Sequence, residues 1–205
     1  MNKDALGILF TLIGAFLYSA KGVLVKWTIP LGVDAVDILA LRMLFAMPFY
    51  CISLLYLWYK SKLKVPSTLW GRLIFLGFIG YYASSMLDFH GLHYISAGLE
   101  RMIIFLYPSF VVLLSFLFKK VKINFRIILA LAFSYLGIVF VYVGDTDFNP
   151  EVGWIGALLV FLSAFVFAIF LIIGEGLIFK IGAVLFTNIA MLIACLLYTS
   201  PSPRD

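Results

Sequence analysis

Long uninterrupted runs of apolar residues alternate with short polar connections along the chain. A bilayer core of about 30 Å requires about 20 apolar residues in a helix, and six runs are long enough to cross it. They cover residues 5–25, 35–58, 73–92, 96–118, 126–143 and 153–174, and a seventh, shorter run begins near Ala183. Strands of a membrane barrel would alternate polar and apolar positions instead. The pattern therefore predicts an all-α integral membrane fold.

The composition agrees with this fold class. Hydrophobic residues make up 64% of the chain and charged residues only 12%, whereas a soluble domain carries about 45–50% and about 25%. So few charges would not cover a water-facing surface. The two cysteines suggest no disulfide, and the sequence contains no metal-ligand spacing, glycine-rich phosphate loop or nucleophile motif. We therefore expect a protein that is not an enzyme, without catalytic residues, metal or cofactor.

Lysine and arginine are concentrated in alternate connections between the predicted spans. The basic connections hold Lys60, Lys62, Lys64 and Arg72, then Lys119, Lys120, Lys122 and Arg126, and finally Lys180. The connection between the fifth and sixth spans is acidic, with Asp145, Asp147 and Glu151. Because basic loops stay on the cytoplasmic side, we predict a cytoplasmic N-terminus in a bacterial-type inner membrane. The net charge of +5 then reflects topology and not a nucleic-acid partner.

The first and sixth spans are similar to each other. A shift of 149 residues places Gly7 on Gly156, Leu9 on Leu158 and Ala15-Phe16 on Ala164-Phe165. Since the second copy begins five spans after the first, it enters the membrane from the opposite side. This is the inverted repeat of many secondary transporters. We predict one five-helix repeat over residues 5–144 and the truncated start of a second over 153–194.

The last eleven residues, Cys195 to Asp205, match the in-frame translation of a common transposase sequencing adapter. We interpret 195–205 as a non-native tail and the chain as a fragment, because the whole string matches. A short polar tail rich in serine and proline is the alternative.

Several short sequence motifs in the second to fifth spans form one combined pattern. They are Leu41-Arg42 in the second span, the segment from Gly91 to Arg101, Leu106-Tyr107-Pro108 in the fourth span, and Gly137 in the fifth. Together they resemble the drug/metabolite transporter superfamily, specifically its EamA-type transporters. The resemblance runs from about Gly7 to Ala194 and implies ten spans in two inverted five-helix repeats. It says almost nothing about the substrate.

Five residues of the types Asp, Glu, Lys and Arg lie inside the predicted spans and away from their ends: Lys21, Arg42, Asp88, Glu100 and Arg101. A charge in hydrocarbon costs a few kcal/mol or more, so each needs a partner, water or a route to the interface. At about 1.5 Å per residue, all five fall roughly 7–10 Å to the outer side of the midplane. We therefore predict that they surround a wet pocket.

Helical spacing places these charges on faces of small and hydroxyl residues. The faces are Gly7, Thr11, Gly14, Tyr18 and Lys21; Gly77, Tyr81, Ser84 and Asp88; and Ser96, Glu100, Tyr107, Val111 and Ser115. Small residues let helices approach closely, so we predict that these faces point into the bundle. Tyr18 and Tyr107 join the candidates for substrate binding or proton coupling, and Pro108 is expected to kink the fourth span.

These features favour a secondary transporter that exports a small polar or amphipathic metabolite, driven by protons. Asp88 or Glu100 would exchange protons, while Lys21 and Arg42 would meet an anionic group of the substrate. Efflux of cationic or lipophilic drugs and a non-transporting assembly protein remain alternatives. So does a purely structural role for the charges, either as ion pairs of Lys21 with Asp88 and Arg42 with Glu100, or with long cations reaching the interface. The sequence leaves open whether the protein forms a homodimer.

Overall fold

The computed structural model describes residues 3–28, 31–33, 35–60, 65–120, 124–142 and 151–199. Its helices are α1 (Lys3–Thr28), α2 (Ala35–Tyr59), α3 (Trp70–Gly77), α4 (Ser84–Gly91), α5 (Ala97–Ile104), α6 (Tyr107–Lys119), α7 (Phe125–Tyr142), α8 (Gly153–Ile181) and α9 (Ala183–Thr199). A 3-10 turn, Ser67–Leu69, precedes α3, and a π-helical segment, Phe78–Ala83, joins α3 to α4. The predicted all-α class is confirmed for these ranges. Lys62, Lys64, Lys122, Asp145 and Asp147, which supported the predicted orientation, lie outside them.

Three helical segments of the described chain are long and apolar enough to cross a membrane. They are Asp37–Tyr59, Ala97–Lys119 and Gly153–Ile181. Ala5–Leu17, Phe125–Gly137 and Ala183–Tyr198 are apolar but shorter. The third predicted span corresponds to α3, the π-helical segment and α4, which follow one another without interruption. The membrane-spanning class therefore has structural support, while the total of six spans stays a prediction.

Helix α8 is longer than the sequence pattern predicts. The apolar run ends at Gly174, but the helix continues to Ile181 and ends at Gly182, whose φ is +85°. Leu177 explains the extension, because this buried side chain belongs to an apolar cluster that also holds residues of α3 and α9. The helix therefore extends beyond the apolar run because packing outweighs the low helix propensity of Gly174 and Gly176.

Helix α8 packs against α4, α5, α6 and the π-helical segment. Its contact with α4 is close because small residues line it. A Cβ atom at Gly156 would lie 2.7 Å from the Gly91 carbonyl oxygen, so the two backbones touch. Farther along, Ser163 Oγ donates a hydrogen bond of 2.8 Å to the Ser84 carbonyl oxygen, and the two hydroxyl oxygens are 3.1 Å apart. Each helix separates its glycine from its serine by about two turns. The helices therefore run antiparallel along a seam formed by Gly91, Gly156, Ser84 and Ser163.

We expect Ser163→Ala to lower the free energy of unfolding by about 1–2 kcal/mol. The substitution removes hydrogen bonds to Ser84 at a position without solvent exposure, where a lost hydrogen bond is costly. Denaturant titration of the purified protein in detergent, followed by circular dichroism, measures the change. Ser134→Ala is the matched control, because this exposed hydroxyl bonds to the Ala130 carbonyl of its own helix. Equal losses in both variants would contradict a special role of the seam.

The predicted interior face of α1 is not covered by the described chain. Gly7, Thr11 and Gly14 are exposed, and a Cβ atom at either glycine would meet nothing within 4 Å. The prediction is wrong for these three residues because α1 packs elsewhere, through Val25 in a cluster on α2, α4 and α9. The second face is confirmed at Gly77, Ser84 and Asp88, which are buried.

Candidate functional site

The fourth predicted span breaks just before Pro108. Helix α5 ends at Ile104 and α6 begins at Tyr107, because proline lacks the N–H that would bond to the carbonyl one turn earlier. The Leu106 N–H instead bonds to the Ile103 carbonyl oxygen at 3.0 Å, which tightens the turn. The structure thus interrupts the helix at the place where the sequence predicts a kink. Tyr107 is half-buried, and its ring meets Phe167 of α8 edge-on with centroids 5.6 Å apart.

A buried ion pair lies near the start of α5. The Ser96 hydroxyl caps this helix by accepting a hydrogen bond of 3.0 Å from the Leu99 N–H. Glu100 follows in the first turn, where the helix dipole favours a carboxylate. Its side chain is 0% exposed, and Oε2 lies 3.2 Å from Nε of Arg101, which is 19% exposed. Arg101 thus supplies the opposite charge that a buried carboxylate requires.

This pairing differs from the structural alternative considered from the sequence, in which Arg42 neutralises Glu100. The ion pair that the structure describes for Glu100 joins it to its own chain neighbour, Arg101. The guanidinium carbon of Arg42 lies 6.0 Å from the centroid of the Phe89 ring, the outer limit for a cation–π contact. Arg42 is exposed on α2, so its place in a shared polar layer stays a prediction.

The other candidates are distributed over α4 and α1. Asp88 is buried near the end of α4, with 4% exposure, next to the Phe89 ring that Arg42 approaches. Tyr18 and Lys21 belong to α1, but their side chains lie outside the described part of the structure. The structure therefore brings Glu100 and Arg101 together, and it places Arg42 near the ring of Phe89, the residue that follows Asp88 in the chain.

Arg101 also lines a cleft of about 450 Å³ between α5, α6 and α7, which we call the α5–α7 cleft. Its lining residues are Gly98, Arg101, Met102, Phe105, Pro108, Ser109, Leu131, Ser134, Tyr135 and Gly137. The Tyr135 hydroxyl donates a hydrogen bond to Ser109 Oγ and thereby ties α7 to α6. The helix interruption before Pro108 borders this space, since two of its lining residues, Phe105 and Pro108, flank the break.

The sequence missed Ser109, Ser134 and Tyr135 as cleft residues. Hydroxyl side chains are common on membrane helices, and these three lie on two helices whose mutual packing no local pattern reveals. The sequence also missed the ion pair between Lys119, at the end of α6, and Glu175 of α8. Glu175 lies just beyond the predicted end of the sixth span, which is why it was not counted among the ionisable residues inside the membrane.

The sequence model of the EamA-like transporter family matches residues 5–143, more than half of the chain. The chain belongs to the EamA-like transporter family. It is 30% identical over 189 residues to the "uncharacterized transporter YcbK" of Bacillus subtilis (strain 168), and this alignment covers 90% of the chain and 59% of that relative. The chain thus spans less than two thirds of the relative's length. No solved structure matches the chain.

Membership of the EamA-like transporter family confirms the resemblance predicted from the motifs. Together with the apolar helices, it supports a multi-pass membrane protein of a transporter family. The matched residues include the Glu100–Arg101 pair and the whole lining of the α5–α7 cleft. These features consequently belong to the part of the chain that carries the family signal.

Proposed function

We propose that the full-length protein is a proton-coupled secondary transporter that exports a small polar or amphipathic metabolite. In this proposal it resides in a bacterial inner membrane with its N-terminus in the cytoplasm. The observation that carries the proposal is the complete burial of Glu100 inside Ala97–Lys119, a segment apolar enough to cross a membrane. Intramembrane carboxylates are costly and typically mark ion or proton paths.

The ion pair lies at the edge of the α5–α7 cleft. Glu100 and Arg101 are consecutive residues of α5. Arg101 reaches the α5–α7 cleft while Glu100 remains behind it without exposure. This arrangement suits a proton-binding carboxylate coupled to a group at a substrate site.

The test is proton movement coupled to a solute. Full-length protein is reconstituted in liposomes that contain the pH-sensitive dye pyranine, and lactate, L-phenylalanine, 3-phenylpropanoate, ethidium and tetraphenylphosphonium are added in turn. We expect an anionic or zwitterionic metabolite to change the lumenal pH beyond its effect on protein-free liposomes. Proton movement driven by ethidium or tetraphenylphosphonium alone would instead assign the protein to efflux of cationic drugs. Solute flux without proton movement would contradict the coupling.

A further inference from the structure

The lining of the α5–α7 cleft is chemically mixed. Arg101, Ser109 and Tyr135 provide a guanidinium and two hydroxyls, while Met102, Phe105 and Leu131 are apolar. The cleft volume of about 450 Å³ lies within the range of about 300–1,000 Å³ that is usual for small-molecule sites. Such a mixed lining suits a ligand with one polar end and an apolar body.

The cleft presents a guanidinium to a ligand. Among the lining residues, which all belong to the described chain, Arg101 is the charged one. Its Nε lies 3.2 Å from the Glu100 carboxylate, and Arg101 is 19% exposed whereas Glu100 is 0% exposed. A ligand in the cleft therefore meets the guanidinium and not the carboxylate, and a guanidinium suits the planar recognition of a carboxylate. This favours a ligand with an anionic end over an organic cation.

The remaining polar groups and the apolar residues fit the same ligand. The Tyr135 hydroxyl bonds to Ser109 Oγ, so two hydroxyls of the lining are held together. Phe105 is exposed and Leu131 is half-buried, while Met102 is buried. A hydrophobic ligand body would contact this apolar part of the lining.

We infer that the α5–α7 cleft binds an amphipathic organic carboxylate, whose charged end meets the Arg101 guanidinium and whose apolar body packs against Met102, Phe105 and Leu131. This inference rests on the proposed function, since it assigns a substrate class to the transporter. It concerns binding, however, and binding is measured without any transport. Failure of the inference is therefore distinguishable from failure of the proposed function.

The first experiment measures equilibrium binding of tritiated 3-phenylpropanoate to full-length protein in phosphatidylcholine nanodiscs. We expect saturable binding that unlabelled 3-phenylpropanoate displaces and that the matched cation, 3-phenylpropylammonium, does not. Arg101→Gln should weaken binding by at least tenfold, the scale expected for a lost charge-assisted hydrogen bond, and Arg101→Lys should retain part of the affinity. Arg126→Gln is the control, because Arg126 is exposed at the start of α7 and outside the cleft lining. Equal displacement by the cation would overturn the inference.

The second experiment fills the cleft without removing a charge. Gly137 lines the cleft, and a Cβ atom there would meet nothing within 4 Å, so Gly137→Leu occupies the open space. Leucine also has a higher helix propensity than glycine, so this variant is expected to fold. We expect at least tenfold weaker binding, whereas Gly71→Leu, at an equally open position on α3 outside the lining, should bind normally. Unchanged affinity in Gly137→Leu would contradict the assignment of the cleft.

A third arm separates a soluble carboxylate from an anionic lipid. Binding is repeated in nanodiscs with phosphatidylglycerol in place of half of the phosphatidylcholine. We expect the affinity to change less than threefold at high ionic strength, where surface charge is screened. Loss of binding under these conditions would assign the cleft to a lipid headgroup and overturn the inference. Binding of 3-phenylpropanoate without any coupled proton movement would support the inference and contradict the proposed function.

Discussion

Gly156→Leu is expected to prevent stable folding of the protein. A Cβ atom at this position would lie 2.7 Å from the Gly91 carbonyl oxygen and 2.8 Å from Tyr94 Cβ. The first of these atoms is backbone, and the second is fixed directly to it, so neither moves without a shift of the chain. Overpacking of a well-packed interior typically costs about 1–3 kcal/mol. A leucine forced against backbone at the α4–α8 seam should therefore cost about 3 kcal/mol or more.

Thermal unfolding of purified protein in detergent, together with the yield of monodisperse protein, measures this effect. Gly176→Leu is the matched control on the same helix, because a Cβ atom at Gly176 would meet nothing within 4 Å. The control should express and unfold like the unmodified protein. Comparable melting temperatures for Gly156→Leu and Gly176→Leu would show that α4 and α8 do not touch in the way described.

The apolar pattern predicted much of the fold because each membrane helix corresponds to a long continuous run of apolar residues in the sequence. It also located the interruption in the fourth span, since Pro108 removes a backbone donor wherever it stands in a helix. Contacts between helices were not predictable in the same way. In the sequence, Gly156 stands out only as the repeat partner of Gly7. No local sequence pattern indicates that it meets Gly91 across the seam. Which distant helices contact each other depends on the three-dimensional arrangement. The spacing of residues along one sequence does not reveal these contacts.

In the candidate site, too, some features were predictable from the sequence and others were not. Burial of Glu100 followed from its helix face, but its described partner did not. Successive residues on a helix are about 100° apart, so the Cα–Cβ bonds of Glu100 and Arg101 point in different directions. The arginine side chain is long enough to turn back, however, and its Nε lies 3.2 Å from the carboxylate. Helical angles locate Cα atoms well and the ends of long side chains poorly.

Helix α8, which belongs to the second predicted repeat, packs against helices of the first. The EamA family match ends at residue 143, before α8 begins at Gly153. Nevertheless α8 packs against α4, α5 and α6, and Val160 of α8 completes a buried cluster with Ile95, Leu99 and Met102. The division at residues 144 and 153 stays a prediction about sequence repeats. In packing terms, α8 forms part of the wall behind the α5 segment that carries Glu100.

Glu100→Gln is expected to abolish proton-coupled flux while leaving solute exchange intact. Glutamine keeps the shape of the side chain but does not carry a proton on and off, so net transport should fall by about 100-fold, the scale on which loss of a positioned proton-transfer group acts. Exchange of labelled for unlabelled 3-phenylpropanoate moves no net proton and should therefore continue at a comparable rate. Both rates are measured in the same pyranine-loaded liposomes. Circular dichroism of the purified variant checks its helical content.

Glu175→Gln is the control for this experiment, because Glu175 is 52% exposed and pairs with Lys119 away from the cleft. Its neutralisation should leave both rates unchanged, since an exposed ion pair contributes little. Coupled flux that survives in Glu100→Gln would exclude Glu100 as the proton site and direct the same test to Asp88→Asn, the other buried carboxylate among the sequence candidates. Loss of exchange together with loss of helical content would instead assign Glu100 to holding α5 in place, because a structural role affects both rates and a proton-binding role affects only net flux.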